Sequence, residues 1–173
     1  SYPFDSFAVQ LMYDKAGKRK KLFRVISEAN YTAFPGFYGF LMRKCNTLPL
    51  SSNRATMIKF MHAIKAILIK KHYILVYPEQ SMWWNYKKPK PLKRGAFVFA
   101  ADNNVPVLPC FITMEDTDVL DSEGYPVQAY TIHVDKPIYP SKNRSRNDNI
   151  DAMMQRNYEV WKNIYETTYG VPL

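Results

Sequence analysis

The sequence predicts an α/β fold in which a central, mostly parallel sheet is flanked by helices. Residues 54–71 form the longest amphipathic helical pattern, and residues 72–77 follow it as a nearly continuous apolar run. Such a run is typical of a strand that is buried on both faces of a parallel sheet. Residues 105–112 form a second apolar run behind another helical pattern. Strands that alternate with helices in this way favour a parallel α/β sheet.

The first half of the chain supplies three helices and three strands in this prediction. Apolar residues near the amino terminus recur at three- and four-residue spacing, and Asp5 or Ser6 is a candidate cap for this first helix. Pro35 and Gly36 mark a turn, and Ser51, Ser52 and Asn53 are candidate caps for the longest helix. In order, we expect a helix at 4–13, a strand at 22–26, a helix at 37–44, a strand at 45–50, a helix at 54–71 and a strand at 72–77.

The second half begins with a polar loop that Pro89 and Pro91 interrupt. Acidic residues dominate 115–123, which predicts a surface excursion rather than a strand. In order, we expect a loop at 81–91, a helix at 92–102, a strand at 105–112, the excursion, an outer strand at 128–134 and a helix at 147–169. Because the sequence contains no internal repeat and no linker, residues 1–173 are predicted to form a single domain.

The composition is that of a globular protein with an excess of positive charge. Hydrophobic residues make up 47% of the 173 residues and charged residues 23%, which excludes a disordered or collagen-like chain. Lys and Arg number 24 against 15 Asp and Glu, and the net charge of +9 favours a partner that carries negative charge, such as phosphate. Cys45 and Cys110 have no zinc or redox spacing, so no metal site is predicted. No apolar run approaches the roughly 18 residues that cross a bilayer.

Three short motifs follow one another along the chain. The first lies at the end of the predicted strand at 72–77, where ligands bind in open α/β sheets, the second at the start of the next predicted helix, and the third on the predicted strand at 105–112. They are Tyr-Pro-Glu-Gln-Ser at residues 77–81, Lys-Arg-Gly at 93–95 and Val-Pro-Val-Leu-Pro at 105–109. In this order and spacing they resemble the glycerolipid acyltransferase superfamily, which includes the lysophosphatidic acid acyltransferases. Gln80 stands where that family has glycine. The resemblance implies a glycerol-3-phosphate acyltransferase-like fold.

The first motif of that family is a histidine followed, after four residues, by an aspartate. None of His62, His72 and His133 has an aspartate at the fifth following position. Asp5 occupies the place of the aspartate, so the resemblance implies a histidine immediately before Ser1, with Asp5 as its catalytic partner. We therefore expect this chain to be a fragment, truncated just after that histidine. Sequencing the parent protein one residue upstream tests this expectation.

The resemblance also assigns residues that bind substrate. The motif after the third strand shapes the acceptor and phosphate site in the family, and here it supplies Glu79, Gln80 and Ser81. The Lys-x-Gly motif supplies Lys93. The family's second motif ends in Asp-Arg, whereas this chain has Asn-Arg nearby, so Arg54 would hold the acceptor phosphate from a shifted position at a helix N-terminus.

Each of these assignments has a structural alternative. Taken alone, Asp5 fits a helix cap, Glu79 fits a solvated strand end, and the lysine-rich stretches fit solvated faces. The order of the motifs along the chain favours the functional interpretation of Asp5 and Glu79.

The resemblance implies an O-acyltransferase of phospholipid biosynthesis. Such an enzyme moves a fatty acyl group from a thioester of coenzyme A or acyl carrier protein to a lysophospholipid, here expected to be 1-acylglycerol 3-phosphate. A histidine base with an aspartate behind it performs this reaction without a metal or an organic cofactor. The alternative is a catalytically inactive acyltransferase-like domain that binds a lipid or a protein partner.

Residues 87–94 carry five cations and no acid, and two tryptophans precede them. Rings beside cations suit an anionic membrane surface, and the same patch could instead receive an acidic acyl carrier protein. The predicted contact residues are Trp83, Trp84, Lys87 and Lys88. Nucleic-acid binding is not predicted, because the chain lacks a recognised motif for it. We expect the protein at the cytoplasmic face of a membrane, held peripherally or anchored by segments outside this chain.

Overall fold

The computed structural model describes residues 5–17, 20–32, 35–81 and 86–173. The chain divides into two compact units. One consists of Ser1–Ala16 together with Glu79–Leu173, and the other of Gly17–Pro78. The prediction of a single domain over residues 1–173 stays a prediction.

The helices and strands alternate through most of the described chain. In chain order they are α1 (Asp5–Lys15), β1 (Leu22–Ser27), α2 (Glu28–Thr32), α3 (Gly36–Lys44), β2 (Thr47–Leu50), α4 (Arg54–Ile69), β3 (Tyr73–Leu75), α5 (Gly95–Asp102), β4 (Cys110–Leu120), β5 (Pro126–Val134) and α6 (Arg146–Tyr169). No helix in the described part of the chain is both long and apolar enough to cross a membrane.

The unit Gly17–Pro78 contains a three-stranded parallel sheet with the order β2-β1-β3. In the register of the sheet, Val25 lies opposite Leu48 and Phe23 lies opposite Ile74. Helices α2 and α4 contact the sheet. The predicted α/β class, with a parallel sheet flanked by helices, is therefore confirmed.

The strand after α4 is shorter and more exposed than the sequence predicts. An apolar run over residues 72–77 predicts a strand buried on both faces, but β3 has three residues and pairs with β1 alone among the described strands. Because β3 lies at the edge of the sheet, Tyr73 remains 43% exposed. That part of the prediction is wrong, because composition does not reveal which strand lies at an edge.

Helix α4 matches its prediction closely. Phe60, Ile64 and Ile67 form its buried face. The side chain of Asn53 caps its first turn, accepting hydrogen bonds from the backbone N–H groups of Ala55 at 2.9 Å and Thr56 at 3.2 Å.

The other unit contains an antiparallel hairpin of β4 and β5. The predicted strand at 105–112 begins only at Cys110, and the predicted excursion at 115–123 belongs largely to β4 and the following turn. Both predictions are wrong for physical reasons. Pro106 and Pro109 cannot donate to a strand ladder, and the acidic residues lie on an exposed strand, where charge is tolerated. The Asp121 carboxylate closes the turn by accepting from the N–H groups of Glu123 and Tyr125.

Two apolar clusters hold α5, β4 and α6 together. Phe97 and Ala100 of α5 pack with Ile150 and Met153 of α6. Phe111 of β4 packs further along α6, on a group that consists of Val160, Trp161 and Tyr165. Leu92 packs against both clusters, so the segment before α5 is fixed to the same core.

The carboxyl end of α6 is tied directly to β4. The Tyr169 hydroxyl accepts a hydrogen bond from the Met114 backbone N–H at 2.8 Å and donates one to the Met114 carbonyl at 3.0 Å. Gly170 ends the helix in the left-handed conformation with φ 66°, which glycine adopts without strain.

Candidate functional site

The best-defined polar cluster among the predicted site residues is built around Glu79. One carboxylate oxygen of Glu79, Oε1, accepts a hydrogen bond from the backbone N–H of Lys90 at 2.8 Å. This bond joins two residues that are eleven positions apart in the chain, so the positions of residues 79–81 depend on the segment that leads into α5. Glu79 is half-buried, and its carboxylate is therefore not the freely solvated strand end that the structural alternative requires.

Lys90 is a buried cation at the centre of this cluster. It is 6% exposed, and its Nζ donates to the Ser81 carbonyl at 3.2 Å and to the Ser81 hydroxyl at 3.4 Å. The same ammonium lies over the ring of Tyr86, 5.0 Å from the ring centre. A buried ammonium needs such partners, because its hydration is lost. Lys90 therefore holds the loop closed through its side chain as well as its backbone.

The backbone explains why a glycine is usual at position 80 in the family that the motif resembles. Gln80 has φ 53°, in the left-handed region that side chains with a Cβ enter at a cost of roughly 1–2 kcal/mol. Its amide extends towards Gly95, where an added Cβ would lie 4.0 Å from Nε2 of Gln80. The glutamine therefore keeps the turn of the motif, with strain that glycine would avoid.

Ser81 and Lys93 differ in their surroundings. The Ser81 hydroxyl also donates weakly to the Glu79 carbonyl at 3.4 Å, so it belongs to the loop closed by Lys90. Lys93 is exposed, and it forms no ion pair with any residue that the structure describes. Its side chain is thus placed to reach a ligand in solvent.

Burial raises the pKa of the Glu79 carboxyl above its ordinary value of 4.5. The backbone hydrogen bond from Lys90 and the charge of Lys90 oppose the effect but do not cancel it. A raised pKa in the folded state means that ionisation of Glu79 costs folding free energy. The contribution of this group to stability is complete below pH 4.5 and is lost as the pH rises through the raised value.

We expect Glu79→Gln to become more stable relative to the natural chain as the pH is raised from 4.5 to 7.5. The glutamine oxygen still accepts from Lys90, but it carries no charge to bury. Thermal unfolding midpoints of both chains at several pH values measure the difference. Glu123→Gln, which removes an exposed carboxyl, is the matched control for the loss of one charge. A midpoint difference for Glu79→Gln that stays constant or shrinks with pH would contradict the expectation.

Arg54 lies in the unit Gly17–Pro78 as the first residue of α4, and it is exposed. The sequence predicts that its guanidinium and the free N–H groups at the helix N-terminus together bind the acceptor phosphate. Two of those groups, on Ala55 and Thr56, already donate to the Asn53 side chain. A phosphate at this end would therefore rely on the guanidinium more than on the backbone.

Asp5 is the first residue of α1, and its side chain lies outside the described part of the chain. Its role as the partner of a histidine, which the resemblance implies, stays a prediction. Trp83 and Trp84 also lie outside the described residues.

The two lysines of the predicted membrane contact have different environments. The Lys87 ammonium lies 3.7 Å from the Asp116 carboxylate and 5.7 Å from the centre of the Tyr169 ring, and the side chain is only 32% exposed. Lys88 is exposed. Lys87 is therefore engaged with β4 and α6, and Lys88 is the better placed of the two for an external partner.

Sequence reasoning missed Lys90. It lies in a run of lysines that is typical of a solvated face, and no local pattern gives its burial. A usable signal was its position between Pro89 and Pro91, which restricts the backbone and makes a packed loop more favourable. Among the described residues, no cluster of three or more His, Cys, Asp or Glu side chains could hold a metal ion.

The parallel sheet and the order of the motifs are those of an α/β protein that resembles the acyltransferases. A profile of the Acyltransferase family matches residues 1–113, which is more than half of the 173 residues, and the chain belongs to that family. No curated protein matches this chain significantly.

One solved structure to which the chain is similar is the 1-acyl-sn-glycerophosphate (LPA) acyltransferase PlsC from Thermotoga maritima, at 19% identity and a TM-score of 0.46. The match covers 80% of this chain, and the chain spans 56% of that protein's length.

Proposed function

We propose that the protein transfers a fatty acyl group from a thioester of coenzyme A or acyl carrier protein to the free hydroxyl of a lysophospholipid. The acceptor in this proposal is 1-acylglycerol 3-phosphate, and the product enters phospholipid biosynthesis. The observation that carries the proposal is the family match over residues 1–113, which contain the Glu79 motif, the Lys-x-Gly motif and the Val-Pro motif in order.

In the proposed reaction, a neutral histidine immediately before Ser1 takes the proton of the acceptor hydroxyl. The oxygen attacks the thioester carbonyl, the new C–O bond forms, and the C–S bond breaks. The proton passes from the imidazolium to the leaving thiolate, so the products are an ester and a thiol. The Asp5 carboxylate fixes the tautomer of the histidine and stabilises its protonated form. General base catalysis of this kind contributes about 10² to 10⁴-fold to the rate.

The Glu79 loop would shape the acceptor site. Two hydrogen bonds and one backbone conformation support this role. The Lys90 N–H fixes the Glu79 carboxylate, the Lys90 ammonium holds the Ser81 hydroxyl, and the backbone at Gln80 turns in the left-handed region. A site that is preorganised in this way loses little entropy when substrate binds. Arg54 and Lys93 would supply positive charge for the acceptor phosphate.

An assay of the whole gene product tests the proposal. It would be incubated with 1-acylglycerol 3-phosphate, lysophosphatidylcholine or glycerol 3-phosphate, each with acyl-coenzyme A and with acyl carrier protein thioester. We expect acylation of 1-acylglycerol 3-phosphate by at least one donor, at a rate above that of the other acceptors. A folded protein that acylates none of these acceptors with either donor would overturn the proposal and favour an inactive, lipid-binding relative of the enzymes.

A further inference from the structure

The positive charge of the protein is concentrated in one unit. Gly17–Pro78 contains twelve Lys and Arg residues and a single acid, Glu28. The other unit has more acids than cations, although the whole chain carries a net charge of +9. An electrostatic partner of this protein would therefore meet the unit Gly17–Pro78 first.

Helix α4 presents the clearest surface of that unit. Its exposed residues recur every three or four positions and lie opposite the buried face. This exposed stripe consists of Arg54, Ile58, His62, Lys65 and Ile69, with Lys59 and Lys70 beside it. Sixteen residues of helix give the stripe a length of about 24 Å.

The cations of the stripe have no acidic partner in the part of the chain that the structure describes. Helix α4 contains no Asp or Glu, and none of its cations forms an ion pair with another described residue. Ile58 and Ile69 are 52% and 69% exposed, although each is a large apolar side chain. The same helix face thus offers positive charge and unburied hydrocarbon together.

We propose that this stripe of α4 is the surface by which the protein docks on an anionic lipid bilayer, with α4 parallel to the membrane plane. Anionic headgroups would attract the cations, and the two isoleucines would enter the boundary between headgroups and acyl chains. A nucleic acid fits less well, because the stripe has no phenylalanine, tyrosine or tryptophan on which bases could stack, and its isoleucines would gain nothing from a phosphate backbone.

The arrangement has a consequence for the proposed reaction, on whose lipid acceptor this inference rests. Arg54 lies at the amino end of the stripe, so docking would bring its guanidinium to the depth of lipid phosphates. The surface that binds the bilayer and the cation proposed for the acceptor would then belong to one helix.

Sedimentation with vesicles tests the docking surface independently of catalysis. The vesicles would contain neutral phosphatidylcholine alone or with 30% anionic phosphatidylglycerol, at about 0.15 M salt. The double variant Lys59→Gln, Lys65→Gln is expected to have a roughly 25-fold lower partition coefficient for anionic vesicles, because each cation near the membrane surface contributes about fivefold. Glutamine and lysine have similar helix propensities, so the helix should persist, which circular dichroism checks.

Lys136→Gln with Lys142→Gln is the matched control. It removes the same charge from exposed positions in the other unit and is expected to change binding less than about threefold. Ile58→Ser with Ile69→Ser keeps the charge and is expected to weaken binding about tenfold.

Equal losses for the α4 pair and the control pair would overturn the proposal, because general charge would then explain the attraction. Binding of a labelled oligonucleotide through Lys59 and Lys65, without binding of anionic vesicles, would also overturn it. Vesicle binding that depends on the stripe in a protein without acyltransferase activity would support the docking surface and contradict the proposed function alone.

Discussion

Replacement of Asp5 by asparagine in the whole gene product is expected to lower the rate of acyl transfer by about 10³ to 10⁴-fold. An amide in place of the carboxylate can stabilise the wrong tautomer of the histidine and cannot stabilise the imidazolium. Initial rates at saturating acyl donor and 1-acylglycerol 3-phosphate measure the effect. The acceptor KM should change far less than kcat, because the carboxylate acts through the base and not on the bound acceptor.

Asp14→Asn is the control for this experiment. Asp14 lies in the same helix, is exposed and accepts a hydrogen bond from the Gln10 amide at 2.7 Å, so its loss removes a carboxylate from α1 without touching the proposed base. Its rate should stay within about twofold of the natural protein's. If Asp5→Asn keeps its activity, the assignment from the motif is wrong.

The second large effect is expected for Lys90→Met. Methionine fills much of the same space, but the Ser81 carbonyl and hydroxyl lose a charged donor that is 6% exposed. Hydrogen bonds to charged groups contribute about 1.5–3 kcal/mol each. Part of this loss is offset, because the variant has no ammonium group to desolvate. The free energy of unfolding should therefore fall by about 2–4 kcal/mol. Denaturant titration measures the change.

The role of Lys90 in the site predicts a kinetic signature as well. If the loop of residues 79–81 shapes the acceptor site, Lys90→Met should raise the KM for the acceptor more than it lowers kcat. Lys90→Arg should not restore the natural value, since a planar guanidinium does not replace a compact ammonium in a closed space. Lys142→Met removes an exposed lysine and should leave both stability and KM unchanged. A Lys90→Met protein with unchanged stability would contradict the buried contacts.

Periodicity predicted those parts of the fold whose buried face follows a regular spacing. The helix at 54–71 and the helix at 147–169 correspond to α4 and α6, since their apolar residues repeat with the helical period and polar caps precede them. The parallel direction of the strands in the three-stranded sheet also followed from the alternation of strands and helices. In these elements, local sequence and tertiary packing favour the same structure.

Local sequence patterns do not predict the hairpin of β4 and β5 or the burial of Lys90, because both depend on residues that are distant in the chain. The acids of residues 115–120 resemble a loop, yet they lie on a strand that pairs with β5, where Glu115 lies opposite Ala129 and Asp116 lies opposite Gln128. Lys90 has the same chemistry as its exposed neighbour Lys88, and only the tertiary structure separates them. The motif order indicated Glu79, whereas the partner that fixes Glu79 is a backbone N–H, which carries no sequence signal.

The double hydrogen bond between Tyr169 and Met114 limits how the carboxyl end can be engineered. A fusion junction or a truncation placed before Tyr169 would leave one strand of the hairpin without its anchor on the last helix, and would also remove the ring beneath Lys87. A shortened version should therefore keep Tyr169 and also Leu173, which packs against the same cluster as Phe111 and donates its backbone N–H to the Glu166 carboxylate at 2.9 Å.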